Sequence, residues 1–158
     1  MNTTSAEPRA VSADHPPAAD RLLNADEAGT YLATNHRAVM ATFRRDGRPQ
    51  LSPVLTTVDA EGRVVVSTSA TSAKVKNLAR DPRVSLCVFS DAFFGAWVQV
   101  EGSAEVLSLP EAMEPLVDYY RRVAGEHPDW ADYRAAMQVE QRVLVRFTIE
   151  RMVAERLS

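Results

Sequence analysis

The sequence predicts an α+β domain in which six mainly antiparallel strands close into a small barrel with short flanking helices. Three observations carry that expectation. Strand-like alternation recurs in short runs joined by tight-turn signals, notably Asp46-Gly47 and Asp59-Ala60-Glu61-Gly62. Helical periodicity is confined to short segments inserted between these runs. A long strand, Ala96 to about Leu107, carries Gly102 in its interior, the mark of a bulge or a sharp bend at a barrel corner.

The 158-residue chain has the length of one domain and can bury roughly 70% of its unfolded surface. Residues 1–20 read as a disordered tail and 21–158 as the folded domain. The tail holds Pro8, Pro16 and Pro17 but neither the apolar run nor the basic start of a secretory signal. A net charge of −3 and the lack of a basic face argue against a nucleic-acid partner. No run approaches the ~18 apolar residues that a membrane span needs. Cys87 is the only cysteine, so an intrachain disulfide is excluded, and the chain fits a reducing cytoplasm.

The elements follow in order. Asn24-Ala25-Asp26-Glu27 has the spacing of a capping box and opens a short helix burying Leu23, Ala28, Tyr31 and Leu32, which Asn35 or His36 ends. Ala38 to Arg44 alternates as a strand, and Asp46-Gly47 turns it into a return strand from Pro49 to Val58. Pro49 and Pro53 cannot donate to a ladder, so part of that strand must lie at an edge or a gap. Val64-Val65-Val66 begins the third strand of a meander. A Ser/Thr-rich crossing leads to a helix that Asp81-Pro82 stops. Val84 to Phe89 is a strand, and Ser90 to Gly95 is a loop leading to the long strand. Ser108-Leu109-Pro110-Glu111 signals a helix start, with Leu116, Val117 and Tyr120 on its apolar stripe and Gly125 closing it. His127-Pro128-Asp129 opens a further short helix. Gln141 to Ile149 returns to strand, and residues 151–158 extend it or fray.

No catalytic motif stands out. The three histidines, His15, His36 and His127, lack metal-ligand spacing, and no G-x-S-x-G or G-x-G-x-x-G occurs. Cys87 alternates within a strand and reads as a small buried side chain. Glu101 and Glu105 read as a solvated face. What remains is the crossing. Thr71 or Ser72 caps a helix whose first turn holds Lys74, a cation where the helix end is already positive. Hydroxyls, free N–H groups and a cation at a strand-to-helix turn make a phosphate site. A cofactor that carries its own chemistry asks few catalytic side chains of the protein, which points to a flavin-like ligand. Gln50 and Ser52 could meet the polar edge of its ring, and Val54 or Trp97 its face.

The segments AVMATFRRDGRPQLSPV, GRVVVSTSATSAKVKNLARDPRVSL, WVQVEGSAEV, YYRRVAGEHPDWADYRAAM and RVLVRFTIERM together resemble the pyridoxamine 5′-phosphate oxidase-like split-barrel proteins. Within that family the chain is most similar to the group that uses the deazaflavin coenzyme F420. The resemblance spans about residues 25–155. It implies a split β-barrel homodimer with two cofactor sites at the interface. It places the cofactor phosphate on Lys74, helped by Ser67, Ser69 and the helix N-terminus, with Ser72, Lys76 and Asn77 in the same run. Gln50, Ser52, Pro53 and Val54 would line the ring, largely by backbone, and Trp97 and Gln99 would come from the other subunit. Ser72 stands where close relatives often carry arginine, which leaves Lys76 or Arg80 to neutralise charge.

The implied activity is hydride transfer from reduced F420 to an electron-poor small molecule. Two alternatives stay open: an FMN-dependent relative of the pyridoxamine-phosphate oxidase kind, and a non-catalytic cofactor- or small-molecule-binding protein. The residues name no general acid and no physiological acceptor.

Overall fold

The computed structural model describes residues 21–22 and 24–155. The tail expected over residues 1–20 and the expected core residue Leu23 lie outside that range. In chain order the elements are β1 (Arg21–Leu22), α1 (Ala25–Thr34), β2 (Arg37–Phe43), β3 (Pro49–Val58), β4 (Val64–Ser69) and α2 (Ala73–Arg80). They continue with β5 (Arg83–Phe89), β6 (Trp97–Leu107), α3 (Met113–Ala124), α4 (Trp130–Val139), β7 (Arg142–Phe147) and β8 (Arg151–Glu155).

Six of these strands close a ring in the order β6-β5-β2-β3-β4-β7, with β7 pairing back onto β6. Closure depends on β6 serving two neighbours. Its first part, Trp97–Ser103, pairs β5, and Ala104–Leu107 pairs β7. The change of partner falls beside Gly102. A β-carbon there would collide with the Thr148 carbonyl oxygen and stand 2.7 Å from the Phe147 ring, so the bend requires glycine. The barrel interior is filled by Met40, Val64, Val66, Leu86, Val98, Val100, Val145 and Phe147, all buried. Ala28 and Leu32 of α1 and Leu78 of α2 join that core. A second cluster lies on the outer face of β4 and β7, where Val65 and Leu144 are covered by Leu116, Val117, Tyr133 and Met137 of α3 and α4.

The helix caps form as their residues dictate. Asn24 accepts the Glu27 N–H while the Glu27 carboxylate accepts the Asn24 N–H, and Ser72 and Asp129 cap α2 and α4. Gly125 ends α3 at φ 83°.

Two expectations are corrected. The α3 helix begins at Met113 rather than at Pro110. Residues 108–112 form a turn that buries Ala112 completely and closes with its N–H on the Ser108 carbonyl at 2.9 Å. Residues 151–155 neither extend β7 nor fray, and residues 156–158 lie outside the described range. The chain turns after Phe147 and lays β8 antiparallel on the first part of β6, with Ala154 opposite Val98. The period-2 burial of Met152 and Ala154 into the barrel core drives this, and β1 adds outside β8.

A candidate cofactor site at the split

The ring is not uniformly paired. β2 and β3 are matched from Arg37↔Leu55 to Phe43↔Pro49, whereas β3 and β4 are matched only from Thr56↔Val66 to Val58↔Val64. Beyond Thr56 the two strands part. The Thr56 N–H donates to the His36 carbonyl at 2.8 Å, so even residues of β3 address β2 and odd residues turn their backbone groups toward the split. Pro49 and Pro53 are odd residues. Their missing N–H groups therefore cost the β2 ladder nothing, which is how a strand with two prolines fits here.

Tyr119, from α3, stands where the ladder ends. Its hydroxyl donates to the Leu55 carbonyl at 2.9 Å and also takes a hydrogen bond from the Ser67 backbone. Burial pushes the phenol up, and the Ser67 hydrogen bond and the nearby Arg142 cation only partly offset this, so it stays a neutral donor near pH 7.

Past the split, β4 runs into the Ser/Thr turn. The Ala70 N–H donates to the Gln141 carbonyl at 2.9 Å, pinning the turn to the start of β7. Ser69 Oγ and Thr71 Oγ1 are 3.1 Å apart, and Ser72 Oγ accepts the Val75 N–H at 3.4 Å. Lys74 is half-buried, on the helical face it shares with Asn77 and Leu78, and makes no ion pair among the described residues. Ser67, Ser69, Ser72 and Lys74 are thus brought around one turn.

Other expected site residues are placed differently. Lys76 is exposed on the opposite face of α2. Asn77 is buried, donating to Thr42 Oγ1 at 3.1 Å and accepting from Arg80 Nη2 at 2.8 Å, so Asn77 and Arg80 anchor the helix to β2. Gln50, Ser52 and Val54 lie opposite Thr42, Met40 and Ala38, and their side chains share the barrel-interior face. Their own backbone groups address β2, and it is the odd residues between them, Leu51, Pro53 and Leu55, whose backbone borders the split. The Pro53 side chain is on the outer face with Ser67 and Ser69. Trp97 and Gln99 also lie on the outer face, in the first part of β6, which pairs β5 and β8.

Two residues that the sequence left unmarked belong to this region: Tyr119 and Arg142. Tyr119 lies beside the apolar stripe of α3 and packs against its cluster. Arg142 occupies a polar position in the β7 alternation, opposite Ser69. Outside the split, an apolar groove of about 430 Å³ crosses the outer face, floored by Val39, Pro53, Leu55 and Phe89. Leu51 and Leu55 beside it are 60% and 49% exposed.

The remaining candidates are inert. Burial pushes the Cys87 thiol up, away from thiolate chemistry. His127 packs against Tyr120, Trp130 and Tyr133 with ring centroids 5.1, 5.7 and 5.6 Å away. No group of three or more His, Cys, Asp or Glu among the described residues could hold a metal ion. A cavity of about 310 Å³ below the β3–β4 hairpin is lined by Asp59, Glu61, Arg63, Glu114 and Asp118, each already ion-paired. No helix among the described residues is long and apolar enough to cross a membrane.

Residues 25–154 match the family model described as pyridoxamine 5′-phosphate oxidase. The chain belongs to that family. Its fold is shared by the conserved hypothetical protein Rv2991 from Mycobacterium tuberculosis, at 30% identity and a TM-score of 0.69 over 85% of each chain. A protein described as an F420 reductase matches at 20% identity and a TM-score of 0.61, over 78% of this chain and 93% of its own. A heme binding protein from Mycobacterium smegmatis matches at 24% identity and a TM-score of 0.62, over 81% of this chain and 52% of its own. The last two likenesses establish the fold alone. The family includes oxidoreductases and takes flavin-type cofactors, FMN or F420.

Such a cofactor fits the donor set at the split. The hydroxyls of Ser67, Ser69 and Ser72 with Lys74 suit a phosphate. Arg142 Nε, on the outer face with Ser67 and Ser69, has no hydrogen-bond partner among the described residues; Ser52 Oγ is unpartnered too, but on the barrel-interior face.

Proposed function

We propose that this protein is an oxidoreductase that uses reduced coenzyme F420 to transfer a hydride to an electron-poor small molecule. The observation that carries this reading is the split itself: a half-buried lysine and three serines around one turn, beside an unpaired strand edge, in a family that takes flavin-type cofactors. The bound deazaflavin would supply the hydride. Lys74, Ser67, Ser69 and Ser72 would hold its phosphate, and the outward backbone of β3 around Gln50, Ser52, Pro53 and Val54 would meet the ring's polar edge. Trp97 and Gln99 of a second copy would close the site. The exposed Leu51 and Leu55 favour the same homodimer. The protein's part is then to orient two rings, exclude water and stabilise developing negative charge.

FMN is the second reading, favoured by the family's namesake activity and served by the same turn. Fluorescence titration of the purified protein with F420 and with FMN separates the two. Tighter F420 binding, together with turnover of reduced F420 with an acceptor panel, is the expected result. Preference for FMN, or binding without turnover of any acceptor, would overturn the F420-reductase assignment.

A further inference from the structure

Around the proposed phosphate turn Lys74 is the cation in place, and neither Lys76 nor Arg80 joins it. Lys76 is exposed on the far face of α2, and Arg80 is bound to Asn77 Oδ1 and the Phe43 carbonyl at the other end of the helix. A different cation stands next to the turn. Arg142 is the direct cross-strand partner of Ser69. It alternates with Leu144, and Ser69 with Val65, so all four side chains share the outer face of β4 and β7. Its cation partly offsets the burial that raises the Tyr119 and Tyr133 phenols, so it lies beneath α3 and α4 on that face.

Arg142 is also unusually uncommitted. Its Nε–H is buried without a hydrogen-bond partner among the described residues, a costly arrangement for a charged donor. Its nearest carboxylate, Glu140 Oε2, is 3.5 Å from Nε and half-exposed. Three other arginines in or beside the barrel strands are bound more closely. Arg63 meets Asp59 at 2.8 Å, Arg83 meets Asp81 at 2.6 Å and Arg146 meets Glu105 at 2.5 Å. The chain holds Arg142 in place by a constrained entry into β7. Gln141 adopts φ 51°, a left-handed conformation that non-glycine residues rarely take, and its carbonyl receives the Ala70 N–H of the phosphate turn. A cavity of about 180 Å³, lined in part by Ala70, Gln141 and Arg142, opens beside the guanidinium.

We propose that Arg142 is the second cation of the phosphate subsite, reaching from β7 to the same anion as Lys74. This rests on the reading that the split takes a phosphate-bearing flavin-type cofactor. A guanidinium there offers a planar pair of N–H donors, including the orphaned Nε–H, to two phosphate oxygens. Glu140 then acts as a weak competitor for the guanidinium.

The test is a set of fluorescence titrations comparing F420 with its phosphate-free deazaflavin chromophore, and FMN with riboflavin. The wild-type protein should favour the phosphorylated member of at least one pair. Arg142→Ala should lower affinity for that member about 10-fold, roughly 1.4 kcal/mol, while leaving the phosphate-free member unchanged. Arg142→Lys should restore part of the loss, and Glu140→Gln should tighten phosphorylated binding. Circular dichroism melting checks that each variant is folded; if Arg142→Ala is not, Arg142→Lys and Glu140→Gln decide. An unchanged preference for phosphate in a folded Arg142 variant, or equal weakening of both members, overturns the assignment of Arg142 and leaves the cofactor reading intact. A wild-type protein that binds none of the four ligands overturns the cofactor reading and this assignment together.

Discussion

The two sides of the barrel solve opposite problems. On the closed side, β5 pairs β2 from Ala41↔Ser85 to Arg37↔Phe89 and pairs β6 from Arg83↔Ser103 to Phe89↔Trp97. Its inward residues Val84, Leu86 and Val88, and Val98 and Val100 beside them, are all at most 2% exposed. On the split side, β3 and β4 share only the pairs from Thr56↔Val66 to Val58↔Val64. There the buried polar atoms Arg142 Nε, on the outer face, and Ser52 Oγ, on the barrel-interior face, go without partners among the described residues. The sheet satisfies its backbone on one side and leaves strand-edge groups unpaired on the other, which is the side proposed to take the cofactor. Stability and binding are thus expected to separate by side.

The comparison can be broken most forcefully from the closed side. Leu86→Ala should cost about 2–5 kcal/mol of unfolding free energy, read by urea denaturation, because Leu86 is fully buried in the barrel core. Cofactor affinity of the folded fraction should hold. Lys74→Ala should show the reverse pattern. It should weaken cofactor binding by roughly 1.5–3 kcal/mol, the worth of a charge-assisted hydrogen bond, with the urea midpoint nearly unmoved. Unchanged affinity would remove Lys74 from the site.

Tyr119→Phe lies between the two. Losing the hydroxyl that joins the Leu55 carbonyl to the Ser67 backbone should cost about 1 kcal/mol and speed amide exchange at Ser67. The phenol's pKa is raised in the folded state. Its contribution is therefore fully present below the unfolded value of about 10 and lost as pH rises through the folded value. An alkaline titration of stability should show this fall in the wild type and less of it in Tyr119→Phe. The smallest effect is expected for Ser52→Ala. Removing an orphaned hydroxyl should change ligand-free stability by no more than about 0.5 kcal/mol.

Much of this architecture is legible in the residues. Gly102 announces the corner that lets β6 serve two neighbours, and Pro49 and Pro53 announce an unpaired strand edge. The Ser72 cap and the Lys74 placement follow from helix-end chemistry. What the residues do not disclose is convergence across the ring. Ser52 and Ser69 look alike in the sequence, yet they project from opposite faces of the sheet. Asn77 sits in the most suggestive run but is committed to Thr42 and Arg80. Tyr119 and Arg142 reach the split from elements more than forty residues after the turn they approach, and no local period marks them. The α3 start differs from its sequence signal because Pro110 carries that signal while burial of Ala112 sets the backbone.

The most direct test of the split as the binding site is amide hydrogen exchange with and without F420. The expected result is new protection at the odd backbone positions Leu51 and Leu55 of β3 and at Ser67 to Val75, with no change along the β5–β2 ladder. Protection confined to the closed side, or none at Leu51, Leu55 and the Ser67–Val75 turn under saturating ligand, would contradict it.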